Sequence, residues 1–119
     1  MAIQSFVQLD VWKKAHQITL SVYHAASRFP RSELFGLATQ MKRAASSIAA
    51  NIAEGFGRRC PKDKARFYNL SEGSTEELKY FLILARDLGY LGDYENLWKT
   101  LEEVSRMLRG LVDVTTRDS

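Results

Sequence analysis

The sequence predicts an all-α fold, an up-down-up-down antiparallel four-helix bundle forming one domain over residues 1–119. Three observations lead there. Apolar residues recur at steps of three and four in four successive stretches, the signature of amphipathic helices. The stretches are separated only by short breaks at Pro30, Pro61 and Gly89–Gly92, which makes neighbouring helices antiparallel. Finally, 7 Gly and 2 Pro in 119 residues, with 45% of the chain apolar, argue against both disorder and a turn-rich β-sandwich. A chain of this length holds one core, not separate cofactor and substrate lobes.

The first helix is expected over about 10–29, with Asp10 as N-cap and a core stripe of Trp12, Ala15, Thr19, Val22, Ala26 and Phe29 before Pro30 stops it. The second, about 37–56, buries Leu37, Met41, Ala44 or Ala45, Ile48, Ile52 and Phe56, with Gly57 as C-cap. Its centre, Ala44-Ala45-Ser46-Ser47-Ile48-Ala49-Ala50, is unusually small, so another helix can approach closely and this helix should be central. The third, about 61–88, opens on Pro61 with Asp63 at its positive end. Its stripe is Phe67, Leu70, Ser74, Leu78, Phe81, Ala85 and Leu88, and Gly73 beside Ser74 marks a close contact or a kink. Gly89 ends it, with Tyr90 packing back as in a Schellman motif. The fourth, about 93–113, carries Leu97, Leu101, Val104, Leu108 and Leu111, with Glu95–Lys99 and Glu102–Arg106 as i,i+4 pairs. Residues 114–119 read as a frayed tail.

Several chemistries find no residues. Di-iron bundles need Glu-x-x-His motifs, and no Glu here has a His three residues on. His16 and His24 lie out of register on the first helix; His24 reads as solvated and His16 as partly buried. Gly55-Phe56-Gly57 lacks the third glycine and the preceding strand of a dinucleotide site, and no Gly-Lys-Ser/Thr phosphate loop exists. The single Cys60 stands at a helix start beside Arg58, Arg59, Lys62 and Lys64, the setting of reactive cysteines, yet no His lies near it in sequence to act as base. It reads as a substitute N-cap. No catalytic residues, metal or cofactor are therefore expected. The longest apolar run, Phe81 to Ala85, is too short to cross a membrane, and the N-terminus lacks a basic n-region and an apolar h-region, so a cytoplasmic location is expected.

Charge is the functional clue. Residues 1–70 hold 11 Lys+Arg against 4 acids, whereas residues 71–119 hold 6 against 10, so the halves carry +7 and −4. Such asymmetry lets copies of the chain attract each other or presents a basic face to a polyanion. Lys42, Arg43, Arg58, Arg59, Lys62, Lys64 and Arg66 stand against only Glu54 and Asp63 in one segment and are the candidate nucleic-acid-binding residues. Beside the apolar face of the second helix, Gln40, Arg43, Ser47, Asn51 and Glu54 repeat at helical spacing. Gln40, Ser47, Asn51 and Glu54 are read as a hydrogen-bonded polar seam against a neighbouring helix.

Leu9-x-Val11-Trp12-x-Lys14-Ala15-His16 is one block of a wider pattern. It continues with Phe29-Pro30-x-x-Glu33-x-x-Gly36-Leu37-x-x-Gln40-x-x-Arg43-Ala44-x-x-Ser47-Ile48-x-x-Asn51-Ile52-Ala53-Glu54-Gly55-x-Gly57-Arg58, then Gly73-Ser74-x-x-Glu77-Leu78 and Asp87-Leu88-Gly89-Tyr90-Leu91. Together these resemble the small bacterial four-helix-bundle family encoded in intervening sequences of large-subunit ribosomal RNA genes, over about Leu9 to Leu111. That family is in turn similar to the accessory variability proteins of diversity-generating retroelements. The resemblance implies a homo-oligomer, a pentamer, that associates with RNA or another nucleic acid and has a protein partner such as a reverse transcriptase. Cys60 departs from the family pattern, which has Ser at that cap.

The expected function is thus a non-enzymatic, nucleic-acid-associated homo-oligomeric bundle binding RNA or ribonucleoprotein. The alternative is a protein–protein assembly or adaptor module using Tyr80, Ile83 or Trp98. A helix-turn-helix regulator fits poorly, because Leu37 to Phe56 keeps one register without the break that motif needs.

Overall fold

The computed structural model describes residues 2–117, in which four helices alternate in direction: α1 (Asp10–Ala26), α2 (Leu37–Gly57), α3 (Pro61–Asp87) and α4 (Tyr94–Arg117). No strand occurs among the described residues. Each helix packs against its sequence neighbours and α4 closes on α1, with α2–α3 the most extensive pairing and α1–α4 the loosest. The result is an elongated bundle of 47 × 24 × 22 Å. Among the described residues no helix is long and apolar enough to cross a membrane.

Several ends differ from the sequence expectation for local reasons. A short 3₁₀ turn, Phe6–Gln8, precedes α1, closed by a reciprocal cap in which the Ser5 hydroxyl accepts from Val7 N–H and the Gln8 side chain accepts from Ser5 N–H. This turn makes Leu9, not Asp10, the N-cap of α1; Asp10 instead occupies the first helical position, where its charge suits the helix dipole. α1 ends at Ala26 rather than Phe29 because the residue before Pro30 is driven out of helical conformation. Phe29 still packs on the core. α2 runs one residue further, with Arg58 rather than Gly57 as C-cap, and α4 begins at Tyr94 and continues to Arg117 where a frayed tail was expected after 113. At the end of α3 the Schellman geometry forms as expected. Gly89 has φ +79°, its N–H donates to Arg86 O (2.9 Å), and Tyr90 N–H donates to Ala85 O (2.9 Å).

The core follows the predicted faces of α2 and α4 but shifts on the other two. In α1 the buried positions are Val11, Ala15, Ile18, Val22 and Ala26, while Trp12 and Thr19 flank the core. In α3 they are Ala65, Tyr68, Ser71, Thr75, Leu78, Leu82 and Ala85; Leu70 and Leu88 are exposed. The reason lies in how closely α3 meets α2. Ser71 Oγ donates to Ile48 O (2.8 Å), and Thr75 Oγ1 donates to Ser71 O (2.9 Å), so small hydroxyl residues fill the core side and carry their own acceptors. Gly73 is not the contact point, since open space surrounds the position of its missing Cβ.

The bundle is crossed by Lys14 Nζ–Glu103 Oε2 (3.0 Å) between α1 and α4 and by Arg109 Nη1–Glu72 Oε2 (3.5 Å) between α4 and α3. The hydrogen bond and charge of Lys14 hold the Glu103 carboxyl below its ordinary range. Ser71 gives the sharper test of the packing. Ser71→Ala should lower stability by about 0.5–1.5 kcal/mol through the lost hydrogen bond, and Ser71→Leu by about 1–3 kcal/mol through overpacking, measured by urea denaturation. Equal stability of the Leu variant would show that α2 and α3 have room to spare.

Candidate nucleic-acid interface

The junction of α2 and α3 is built around Gly55. A Cβ there would lie 2.6 Å from Tyr68 Cε1 and 3.1 Å from Phe67 Cβ, so the aromatic pair of α3 rests directly on the α2 backbone. Burial of Tyr68 in this contact raises the pKa of its hydroxyl. Lys64, one turn into α3, reaches back so that Nζ donates to Phe56 O (2.7 Å) and Gly55 O (3.3 Å). It thereby caps the carbonyl end of α2 with a positive charge.

The other cations divide into two groups. Arg58 pairs with Glu54 (2.9 Å) and Asp63 (3.8 Å), and Arg66 with Asp63 (3.0 Å). Both guanidiniums also lie over the Phe67 ring, 4.6 and 4.4 Å from its centroid. Arg59 and Lys62 are exposed and enter no ion pair among the described residues. Five cations thus face two acids here, and Arg59 and Lys62 are the two without an acid partner among the described residues. Cys60 is the exposed N-cap residue of α3, but its side chain makes no capping hydrogen bond.

Lys42 and Arg43 do not join this group. They lie 15 to 17 residues before Arg58 and Arg59, roughly 22–26 Å along the axis at 1.5 Å per residue. The sequence cluster is therefore two separate groups of cations, one within the first two turns of α2 and one past its end. Lys42 sits over the Tyr23 ring of α1 (5.3 Å) and Arg43 is exposed.

The polar seam is shorter than its sequence stripe. Ser47 Oγ meets Ser74 Oγ of α3 at 2.8 Å, and Asn51 Nδ2 donates to Ser47 O (2.9 Å) and Oγ (3.0 Å). Gln40 and Glu54 are exposed and lie outside this network. His16 is exposed and stacks on Trp12, with centroids 5.0 Å apart, rather than being partly buried. His24 is exposed on a groove of about 570 Å³ between α1 and the start of α4. No group of three His, Cys, Asp or Glu able to hold a metal occurs among the described residues.

Geometry and fold together define a small all-α bundle with a cationic, partly self-neutralised helix junction. The chain belongs to the 23S rRNA-intervening sequence protein family, whose pattern it matches over residues 7–110. It also shares its fold with a crystallised protein of unknown function from the S23 ribosomal protein family of Bacteroides thetaiotaomicron. That protein is 21% identical, and the two superimpose with a TM-score of 0.77 over 86% of this chain and 97% of the other. No curated protein matches the sequence.

The contact at Gly55 generates a prediction. Gly55→Val should lower stability by about 1–3 kcal/mol or more, because two rings and the α2 terminus must all move, and thermal melting will read the loss. An unchanged melting temperature would mean that the α2–α3 junction yields easily.

Proposed function

We propose that the protein is a non-enzymatic, nucleic-acid-associated bundle that works as a homo-oligomer, a pentamer on the family resemblance, and binds RNA chiefly through its phosphates. The observation that carries this reading is the pair Arg59 and Lys62, exposed, without acid partners, and set beside the first turn of α3. The free N–H groups of that turn add partial positive charge of the kind phosphate favours. Membership of a family associated with ribosomal RNA intervening sequences supports RNA over other polyanions. Repetition of the junction once per subunit would turn a monomer charge of +3 into a strong site.

Self-association is supported by side chains that the monomer leaves in water. Leu20 is 57% and Tyr80 58% exposed, though the apolar positions Ile83 and Trp98 are half-buried, Trp98 beneath Lys79 (5.4 Å). The competing adaptor reading, with a protein partner such as a reverse transcriptase, rests on the same exposed apolar residues and needs no phosphate contact.

Two measurements test the proposal. Light scattering should return a multiple of 13.6 kDa at micromolar concentration, and a monomer would remove the oligomer from it. In a salt titration, log K for duplex should fall with log salt at a slope of about −0.9 per phosphate contacted, and for single strands about −0.7. Replacing Arg59 and Lys62 together by Ala should flatten these slopes by about 1.8 and 1.4, without altering assembly. Absence of binding at low salt by the unmodified protein rejects the nucleic-acid reading in favour of the adaptor.

A further inference from the structure

The α2–α3 junction offers a nucleic acid no free ring. Phe56 and Phe67 are half-buried beneath Lys64, Arg58 and Arg66, and Tyr68 is buried. The opposite end of α2 is different. In the turn between α1 and α2, Phe35 is 92% exposed.

That exposure does not come from a slack backbone. Gly36 N–H donates to Glu33 O (3.0 Å), Thr39 Oγ1 donates to Leu34 O (2.6 Å), and the Glu33 carboxylate accepts from Leu37 N–H (3.4 Å) and from the Tyr90 hydroxyl (3.3 Å). The turn is fastened on both sides of Phe35, and the ring is held out into solvent. The residue before it, Leu34, lines a groove of about 220 Å³ with Phe29, Pro30, Arg31 and Lys42. Lys42 also lies over the half-exposed Tyr23 ring.

Charge decides what can occupy this surface. Neither Arg31 nor Lys42 enters an ion pair among the described residues, and the acid of the turn, Glu33, is engaged with Tyr90 and the start of α2. An apolar protein face seated here would desolvate two cations with no acid to meet them, an unfavourable exchange. A strand whose bases are unpaired supplies both requirements, a flat ring for Phe35 and phosphates for the cations.

We propose that the α1–α2 turn is a base-stacking platform for single-stranded RNA, with Phe35 as the stacking ring and Arg31 and Lys42 holding the flanking phosphates. The platform rests on the nucleic-acid reading and adds to it a site of different chemistry, selective for unpaired bases where the junction is not.

The test compares the full-length protein with Phe35→Ala and Phe35→Trp by fluorescence anisotropy. Three labelled probes of equal length are used: a single-stranded RNA, the same strand with abasic positions, and the duplex. Phe35→Ala should weaken single-strand binding by roughly 5- to 150-fold, the range for one lost base–aromatic stack, and leave the abasic and duplex probes and the salt slope unchanged. Phe35→Trp should restore the lost affinity. Circular dichroism and light scattering on each variant report fold and assembly. Equal weakening on all three probes, or no weakening on the single strand, overturns the platform while the junction reading stands. A change of oligomer mass in Phe35→Ala overturns it too, by placing the ring against a second copy. Failure of the unmodified protein to bind any probe removes both readings together.

Discussion

The close approach of α2 and α3 is the constraint on which the remaining structure depends. At three places along this seam a small residue lets the helices meet closely: Gly55 under Tyr68, Ser71 donating to Ile48 O, and Ser47 sharing a hydroxyl contact with Ser74. Because packed helices cross at an angle, it takes contacts at several points to keep the two close along the seam. Once α3 lies this close, Lys64 can reach the last carbonyls of α2, and the link between the helices shrinks to Arg58, Arg59 and Cys60. The basic junction is thus a by-product of packing. Its geometry is decided by glycine and serine positions that bear no charge.

The same packing sorts the cations. Every helix is close to neutral by itself: α1 has two Lys against Asp10, α2 has Lys42 and Arg43 against Glu54, α3 has five cations against five acids, and α4 four against four. Surplus positive charge sits in the connections after α1 and after α2, where Arg28 and Arg31 face Glu33 and where Arg58 and Arg59 stand together. The +7 and −4 of the two half-chains therefore do not become a basic side and an acidic side. Folding instead returns both halves of the chain to both ends of the bundle: the α2–α3 link keeps Arg58 and Arg59, while at the other end Glu33 and Asp93 of the α3–α4 link offset Arg28 and Arg31.

How much of this was legible in the sequence differs by element. Four of the five α4 core positions, Leu97, Leu101, Val104 and Leu108, were legible because they are Leu and Val at strict spacing, whereas Leu111 is only half-buried and the buried Ser105 was missed; the Schellman end of α3 was legible from Gly89-Tyr90. α3 was misread by one position for most of its length. Its core includes Ser71 and Thr75, which count as polar in any periodicity yet are buried because their hydroxyls bond to backbone oxygens. The stripe therefore drifted to Leu70 and Leu88, which lie in water. In α1, Trp12 and Thr19 outranked Val11 and Ile18 although both pairs have helical spacing, and only the 3₁₀ turn with Phe6 packed edge-on to Trp12 (5.2 Å) decides between them. For the site, nearness in sequence misled in one direction and concealed in the other. Lys42 and Arg43 were grouped with residues a whole helix away, and Phe35 was passed over because it belongs to no apolar stripe. That isolation, an aromatic between a Pro-led turn and Gly36, was the available signal.

The cations of the α2–α3 link and Lys42 and Arg43, about 22–26 Å away along α2, interact weakly with each other in physiological salt, where the screening length is about 8 Å. On the proposed nucleic-acid reading, a short anion would therefore meet one group alone. A long strand would change this, because once one group is engaged the second meets a tethered ligand at high effective concentration, provided the strand spans the gap. Duplex carries one charge per about 1.7 Å, so a segment spanning that separation presents roughly 14 phosphates. On the proposed nucleic-acid reading, two cation groups separated along one helix would therefore favour a long polyanion over a short one.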